Sequence, residues 1–156
     1  MPKIELETII NIDDINVVFD LIRNIDFHKI STKKSNEEAI AGKTSGLIEL
    51  NETVTWRAKH LGFTQELTSI ITDFDAPFFF ADEMVKGTFK SFRHEHYLHQ
   101  KSNGIIMKDI FEYESPLGFL GKIADFLFLE RYMQNFLVER NTMIKEYAES
   151  GKWKEV

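Results

Sequence analysis

Residues 88–115 read TFKSFRHEHYLHQKSNGIIMKDIFEYES. From Thr88 to Gln100 the side chains alternate. Phe92, His94, His96 and Leu98 fall on one side, and Arg93, Glu95 and Tyr97 on the other. A strand places successive side chains on opposite faces, so this is the pattern of a half-buried strand. Ser102-Asn103-Gly104 supplies the residues of a tight hairpin turn, and Ile105 to Tyr113 returns as a second strand. Ser115-Pro116 then ends the pair and opens a helix, with Ser as the cap and Pro at the first helical position.

Downstream, Phe126, Leu127, Leu129, Met133, Phe136, Leu137, Arg140, Met143, Ile144 and Tyr147 recur at a helical period until Ser150-Gly151 stops them. About 30 helical residues at ~1.5 Å rise span roughly 45 Å, so this helix crosses the whole body or bends. Upstream, Phe78–Val85, Gln65–Phe74 and Thr53–Phe63 read as strands, the last with Val54, Trp56, Ala58 and His60 on one face. Asn51-Glu52 reads as a turn, Gly46–Leu50 as a short strand, and Ser31–Ile40 as polar loop with the start of a strand. Lys3–Ile12 reads as the first strand. Asp13 is the expected cap of a helix with Ile15, Val18, Phe19 and Ile22 on its apolar face, ending near Asn24. A short second helical turn follows over Asp26–Ile30. A run of antiparallel strands with helices at its ends is an α+β arrangement, and no alternating βαβ series points to a parallel sheet. One domain over 1–156 is expected from this length.

Composition narrows the function classes. The chain has no Cys, which removes disulfides, thiolate nucleophiles and Cys-bound metal centres, and fits a cytoplasmic setting. A net charge of −6 with scattered Lys and Arg argues against nucleic acid as a partner. No apolar run approaches the ~18 residues of a membrane span, so no stable membrane insertion is expected. The 14 Phe signal either a bulky core or a cavity walled by rings.

Two stretches and the order of elements resemble a known family. KGTFKSFRHEHY at Lys86–Tyr97 and DIFEYESPLGFLG at Asp109–Gly121, leading into LERYMQNFLVERN, look like an uncharacterised bacterial subgroup of the START/Bet v 1-like (SRPBCC, helix-grip) superfamily. The likeness runs over about Lys3 to Glu149. It implies a curved seven-stranded antiparallel sheet wrapped around the long C-terminal helix, with one or two short helices after strand one. A cavity lies between sheet and helix in that fold. Its members bind lipids, sterols, polyketides or quinones, and some are cyclases, oxygenase domains or co-chaperones. A shared fold implies a class of ligand rather than a reaction.

The expected function is therefore binding or carriage of a small hydrophobic molecule, by a monomer or homodimer. The cavity-lining candidates are Trp56, His60, Phe79, Phe89, Phe92, His94, His96, Leu98, Phe111, Phe126, Met133 and Phe136. For most of these aromatics plain core packing is the competing reading. His94 and His96, two apart on a strand, point the same way. They read as polar anchors in an apolar pocket, as locally hydrogen-bonded residues, or as acid–base groups of a cyclase or dehydratase. Joined by His60 and Asp109 or Glu112 they would resemble a His and carboxylate metal site. A lone His-x-His pair lacks a closed ligand set, however, so neither metal nor other cofactor is expected. No nucleophile–base–orienter set is legible, which places enzyme activity behind binding. A grip filled by its own Phe side chains, serving protein interaction, is the third alternative. Arg93, Glu95, Arg131 and Arg140 are expected in surface or rim ion pairs.

Overall fold

The structure is a computed structural model describing residues 1–116, 118, 120, 123 and 128–156. Strand β1 (Lys3–Ile10) is followed by helices α1 (Ile15–Ile22) and α2 (Ile25–Ser31). Six strands follow: β2 (Glu38–Gly42), β3 (Thr53–His60), β4 (Phe63–Asp75), β5 (Phe79–Lys86), β6 (Ser91–Lys101) and β7 (Gly104–Glu114). Helix α3 (Glu130–Ser150) then runs to a left-handed Gly151. The sheet order is β1-β7-β6-β5-β4-β3-β2, and every neighbouring pair is antiparallel. Strands β2 to β7 thus form a meander, and β1 joins it by pairing with the last strand. β-Bulges in β2 and β4 break the register, and such irregularities add bend and twist to a sheet.

The local chemistry explains most element ends. Asp14, not Asp13, caps α1: its side chain accepts from the Asn16 backbone N–H at 3.0 Å. Asn24 caps α2 by accepting from Phe27 N–H at 3.0 Å. The two helices meet at nearly adjacent residues because a capping side chain starts the second helix as soon as the first ends. Gly46–Leu50 is not a strand of the sheet. It makes a single bridge between Leu47 and Asn24, and Ile48 N–H donates to Arg23 O, so this segment serves the helix pair instead. β1 and β2 are the edge strands, and β2 begins inside the stretch read as loop plus strand start and runs two residues beyond it. Leu61 and Gly62, both at positive φ, turn β3 into β4.

Alternation sorts the sheet into two faces. On the concave face β7 buries Ile105, Met107, Asp109, Phe111 and Tyr113, and β6 buries Phe92, His94, His96 and Leu98. Helix α3 turns Leu137, Arg140, Asn141, Ile144 and Ala148 inward. One apolar cluster joins α1, α2 and the far end of α3 to the sheet through Phe19, Phe27, Leu98, Met107 and Ile144. A second gathers Ile4, Phe92, Phe111, Tyr113 and Leu137. Each fully buried side chain of this size stabilises by roughly 1.5–3 kcal/mol, so the two clusters carry the fold. Among the described residues, no helix is long and apolar enough to cross a membrane.

Candidate functional site

The two apolar clusters do not close over the middle of the grip. A cavity of about 400 Å³ lies there, between the concave sheet and α3. Its wall takes Val54, Trp56, Ala58 and His60 from β3, and Leu67, Ser69 and Ile71 from β4. Phe80 comes from β5, Phe92, His94 and His96 from β6, and Phe111 from β7. Tyr132, Met133, Phe136, Leu137 and Arg140 face it from α3. Apolar side chains make up most of this wall, and the polar ones gather in two groups.

The first group is buried and spans three strands and the helix. Asp109, fully buried on β7, accepts from His94 Nε2 at 3.0 Å and from Asn141 Nδ2 at 2.7 Å. Arg140 Nη1 donates to the same carboxylate at 3.3 Å. His96 Nε2 meets Asp82 Oδ1 at 3.1 Å, while its Nδ1 lies 3.2 Å from Asp109 Oδ1 without hydrogen-bond geometry. The His94 and His96 rings sit 3.9 Å apart, and Phe80 stacks on His96 at 4.2 Å. Burial and the neighbouring His96 charge push the His94 imidazole down to about 4. Burial also acts against a charge on His96, but Asp109 and Asp82 outweigh it and raise its pKa. Burial alone would raise the Asp109 carboxyl; His94, His96 and Arg140 reverse this and hold it well below its ordinary value. The two adjacent imidazoles are therefore pushed in opposite directions, His94 down and His96 up.

The second group is nearer solvent. Glu37 Oε2 and His28 Nε2 are 2.6 Å apart, and Glu37 Oε1 lies 3.5 Å from His60 Nε2. The other His60 nitrogen bonds the Tyr132 hydroxyl at 2.7 Å, and His28 stacks on Trp56 at 4.2 Å. Burial pushes Glu37 up, but His28 and His60 overcome it and bring the carboxyl to about 2.

Of the residues singled out from sequence, Trp56, His60, Phe89, Phe92, His94, His96, Phe111, Met133 and Phe136 face the cavity. Phe79 does not. It pairs across the ladder with Tyr97, their rings 4.8 Å apart on the outer face, and its neighbour Phe80 points inward. The β5 strand is thus one residue out of phase with the expected face. Leu98 shares the face of His94 and His96 but lies past the end of the cavity, packed in the larger apolar cluster. Phe126 lies outside the described residues. Arg140 is a correction of another kind: it is buried and paired with Asp109 rather than at the surface or the rim. Asp82, Glu37, His28 and Tyr132 went unnoticed in the sequence. Each is a single polar residue in a stretch whose pattern gives no sign of its partner.

No protein-family model matches this chain, and no curated protein matches it in sequence. Solved structures do match in shape. A Thermus thermophilus protein, TTHA0849, superposes with a TM-score of 0.77 at 16% identity, over 96% of this chain and 99% of that one. The ginseng (Panax ginseng) major latex-like protein 151 gives a TM-score of 0.69 at 18% identity, over 94% and 97%. Ara h 8.0201 gives 0.63 at 14% identity, over 96% and 98%. The chain has the Bet v 1-like helix-grip fold that the sequence stretches resemble: a curved seven-stranded antiparallel sheet, a long C-terminal helix and short helices after the first strand. At these identities the likeness concerns the fold alone.

Proposed function

We propose that this chain binds a small, largely apolar molecule with one polar end in the cavity between the sheet and α3. The observation that carries the reading is the cavity itself, about 400 Å³ and walled mainly by aromatic and aliphatic side chains. That volume falls within the range of pockets for drug-sized ligands, ~300–1,000 Å³. A core of this fold gains by closing such a space with its own side chains, since an empty volume forfeits dispersion contacts. Retaining it makes sense if a ligand supplies those contacts. His94, His96 and Arg140 at the buried end suit a hydroxyl, carbonyl or carboxylate oxygen, and Trp56 and Phe92 suit a ring or chain beside it. Lipid-, quinone- and polyketide-like molecules share that design.

Native mass spectrometry of the purified chain, followed by solvent extraction, tests the reading. A stoichiometric adduct with these chemical features is the expected result. A bare chain that also takes up no member of a hydrophobic ligand panel would overturn it and leave protein interaction as the better account.

A further inference from the structure

The geometry points to a divalent transition-metal site at the buried end of the cavity, with Asp82, His94 and His96 as its three protein ligands. One donor atom from each of these residues lies within 4.8 Å of the others. His94 and His96 are two apart on β6, and Asp82 stands directly across the ladder from His94 on β5. All three face the cavity. From that separation, side-chain shifts under about 1 Å reach the ~2.0–2.2 Å of metal–nitrogen and metal–oxygen bonds.

The surroundings are those of ligands already oriented. Metal-bound histidines give their second ring nitrogen to a carboxylate or carbonyl, which fixes tautomer and direction. Asp109 occupies that position for His94 and lies beside the free nitrogen of His96. Its Oδ1 accepts from His94 Nε2 at 3.0 Å and lies 3.2 Å from His96 Nδ1. Asn141 and Arg140 in turn hold Asp109 at 2.7 and 3.3 Å. The two nitrogens left over are His94 Nδ1 and His96 Nε2, and the second already sits 3.1 Å from Asp82 Oδ1.

His96 supplies the independent sign. Among the described residues, its buried Nδ1 has no hydrogen-bond partner. In a neutral ring that donates from Nε2 to Asp82, the Nδ1 lone pair faces the Asp109 carboxylate, an unfavourable contact. An ion between Nε2 and Asp82 reverses this. The ring N–H then sits at Nδ1 and faces Asp109. A second ring proton would also relieve the contact, but it would use neither His94 Nδ1 nor the convergence of three donors.

Two imidazoles and one carboxylate suit Zn²⁺, Fe²⁺ or Co²⁺ rather than Mg²⁺ or Ca²⁺, and leave coordination positions open to the cavity. With both rings neutral, as metal binding requires, Asp82 and Asp109 against Arg140 leave one net negative charge, which favours a divalent ion. An oxygen of a cavity ligand would complete the shell. The third ligand is Asp82, in place of the His60, Asp109 or Glu112 that the sequence offered. This inference stands apart from ligand binding: the ion is titrated with no organic molecule present.

The test is calorimetric titration of the tag-free, chelator-treated full chain with Zn²⁺ and Co²⁺. One ion per chain is expected, with Asp82→Asn and His96→Gln each weakening it at least ~10-fold and Glu37→Gln leaving it unchanged. Nitrogen-15 spectra of the zinc-loaded wild type should shift the rings of two of the five histidines, His94 and His96. This keeps the question decidable if a variant fails to fold. Absence of saturable binding overturns the proposal. So does an ion that survives Asp82→Asn and is lost with Glu37→Gln, since it would then belong to His28, Glu37 and His60.

Discussion

Arg140 on α3 reaches Asp109 on β7 at 3.3 Å, and both are shut off from solvent. This pair ties the gripped helix to the sheet at the point where the cavity ends. Its worth lies in what its loss would cost. Two buried charges compensate one another, and removing one leaves the other stranded.

Asp109→Ala strands Arg140 and also frees His94 and Asn141 from their shared acceptor. The expected loss is about 3–5 kcal/mol of unfolding free energy. Urea unfolding followed by circular dichroism reads it as a lowered midpoint with unchanged slope. A loss below about 1 kcal/mol would mean that the cavity hydrates Arg140, and the tie would then be no anchor.

Arg93 offers the contrast. On the outer face it meets Asp73, Glu83 and Glu95 at 2.8–3.1 Å, more partners than Arg140 has, yet it is about one-third exposed. Exposed pairs contribute little and are screened by salt. Arg93→Ala should therefore cost no more than about 1 kcal/mol, and less at high salt. A cost rivalling that of Asp109→Ala would show that burial does not rank these two networks.

Glu37 gives the pH prediction. Its carboxyl is held at about 2, below the ordinary value of 4.5, because His28 and His60 outweigh the effect of its burial. The unfolded chain binds the proton more readily, so the stabilisation is fully present above pH 4.5 and is lost as pH falls toward 2. Solvent at the partly exposed His28 weakens the pair, leaving on the order of 1–3 kcal/mol. Stability profiles of wild type and Glu37→Gln should be separated at neutral pH and converge across that window. Parallel profiles would remove Glu37 from the acid response.

How much of this was legible depends on whether a feature is local or paired. Strand alternation through His94 and His96 and the apolar stripe of α3 are local patterns, and they led to the antiparallel strands and the long helix, while the grip of sheet on helix and the cavity between them followed from the family resemblance. Phe79 fell on the wrong side because a strand's phase turns on one residue, and three neighbouring Phe offer no polar contrast to set it. Arg140 and Asp109 did leave a trace. Arg140 lies on the stripe between Leu137 and Ile144, and Asp109 lies between Met107 and Phe111 in the inward register. A charge at an apolar position is a sign of a buried partner. The partners themselves are 31 residues apart, and no spacing in the chain reveals them. The same holds for Glu37 with His28 and His60.

Ser69 supplies the test of whether the cavity is a working space. It is buried at mid-β4 and faces the cavity between Leu67 and Ile71. Ser69→Phe adds a ring where the wall has room, so it competes with a ligand rather than with the core. Uptake of an apolar fluorescent probe should fall at least ~10-fold, a difference of ~1.4 kcal/mol, while the melting temperature holds or rises. If the ring overpacked the core instead, stability would fall by about 1–3 kcal/mol. Trp56 reports from the same cavity, and Trp153→Phe leaves it the only tryptophan of the two. In that background, probe binding should change Trp56 emission in the parent and not after Ser69→Phe. Unchanged uptake in the filled variant would place the probe outside the cavity and count against the binding reading.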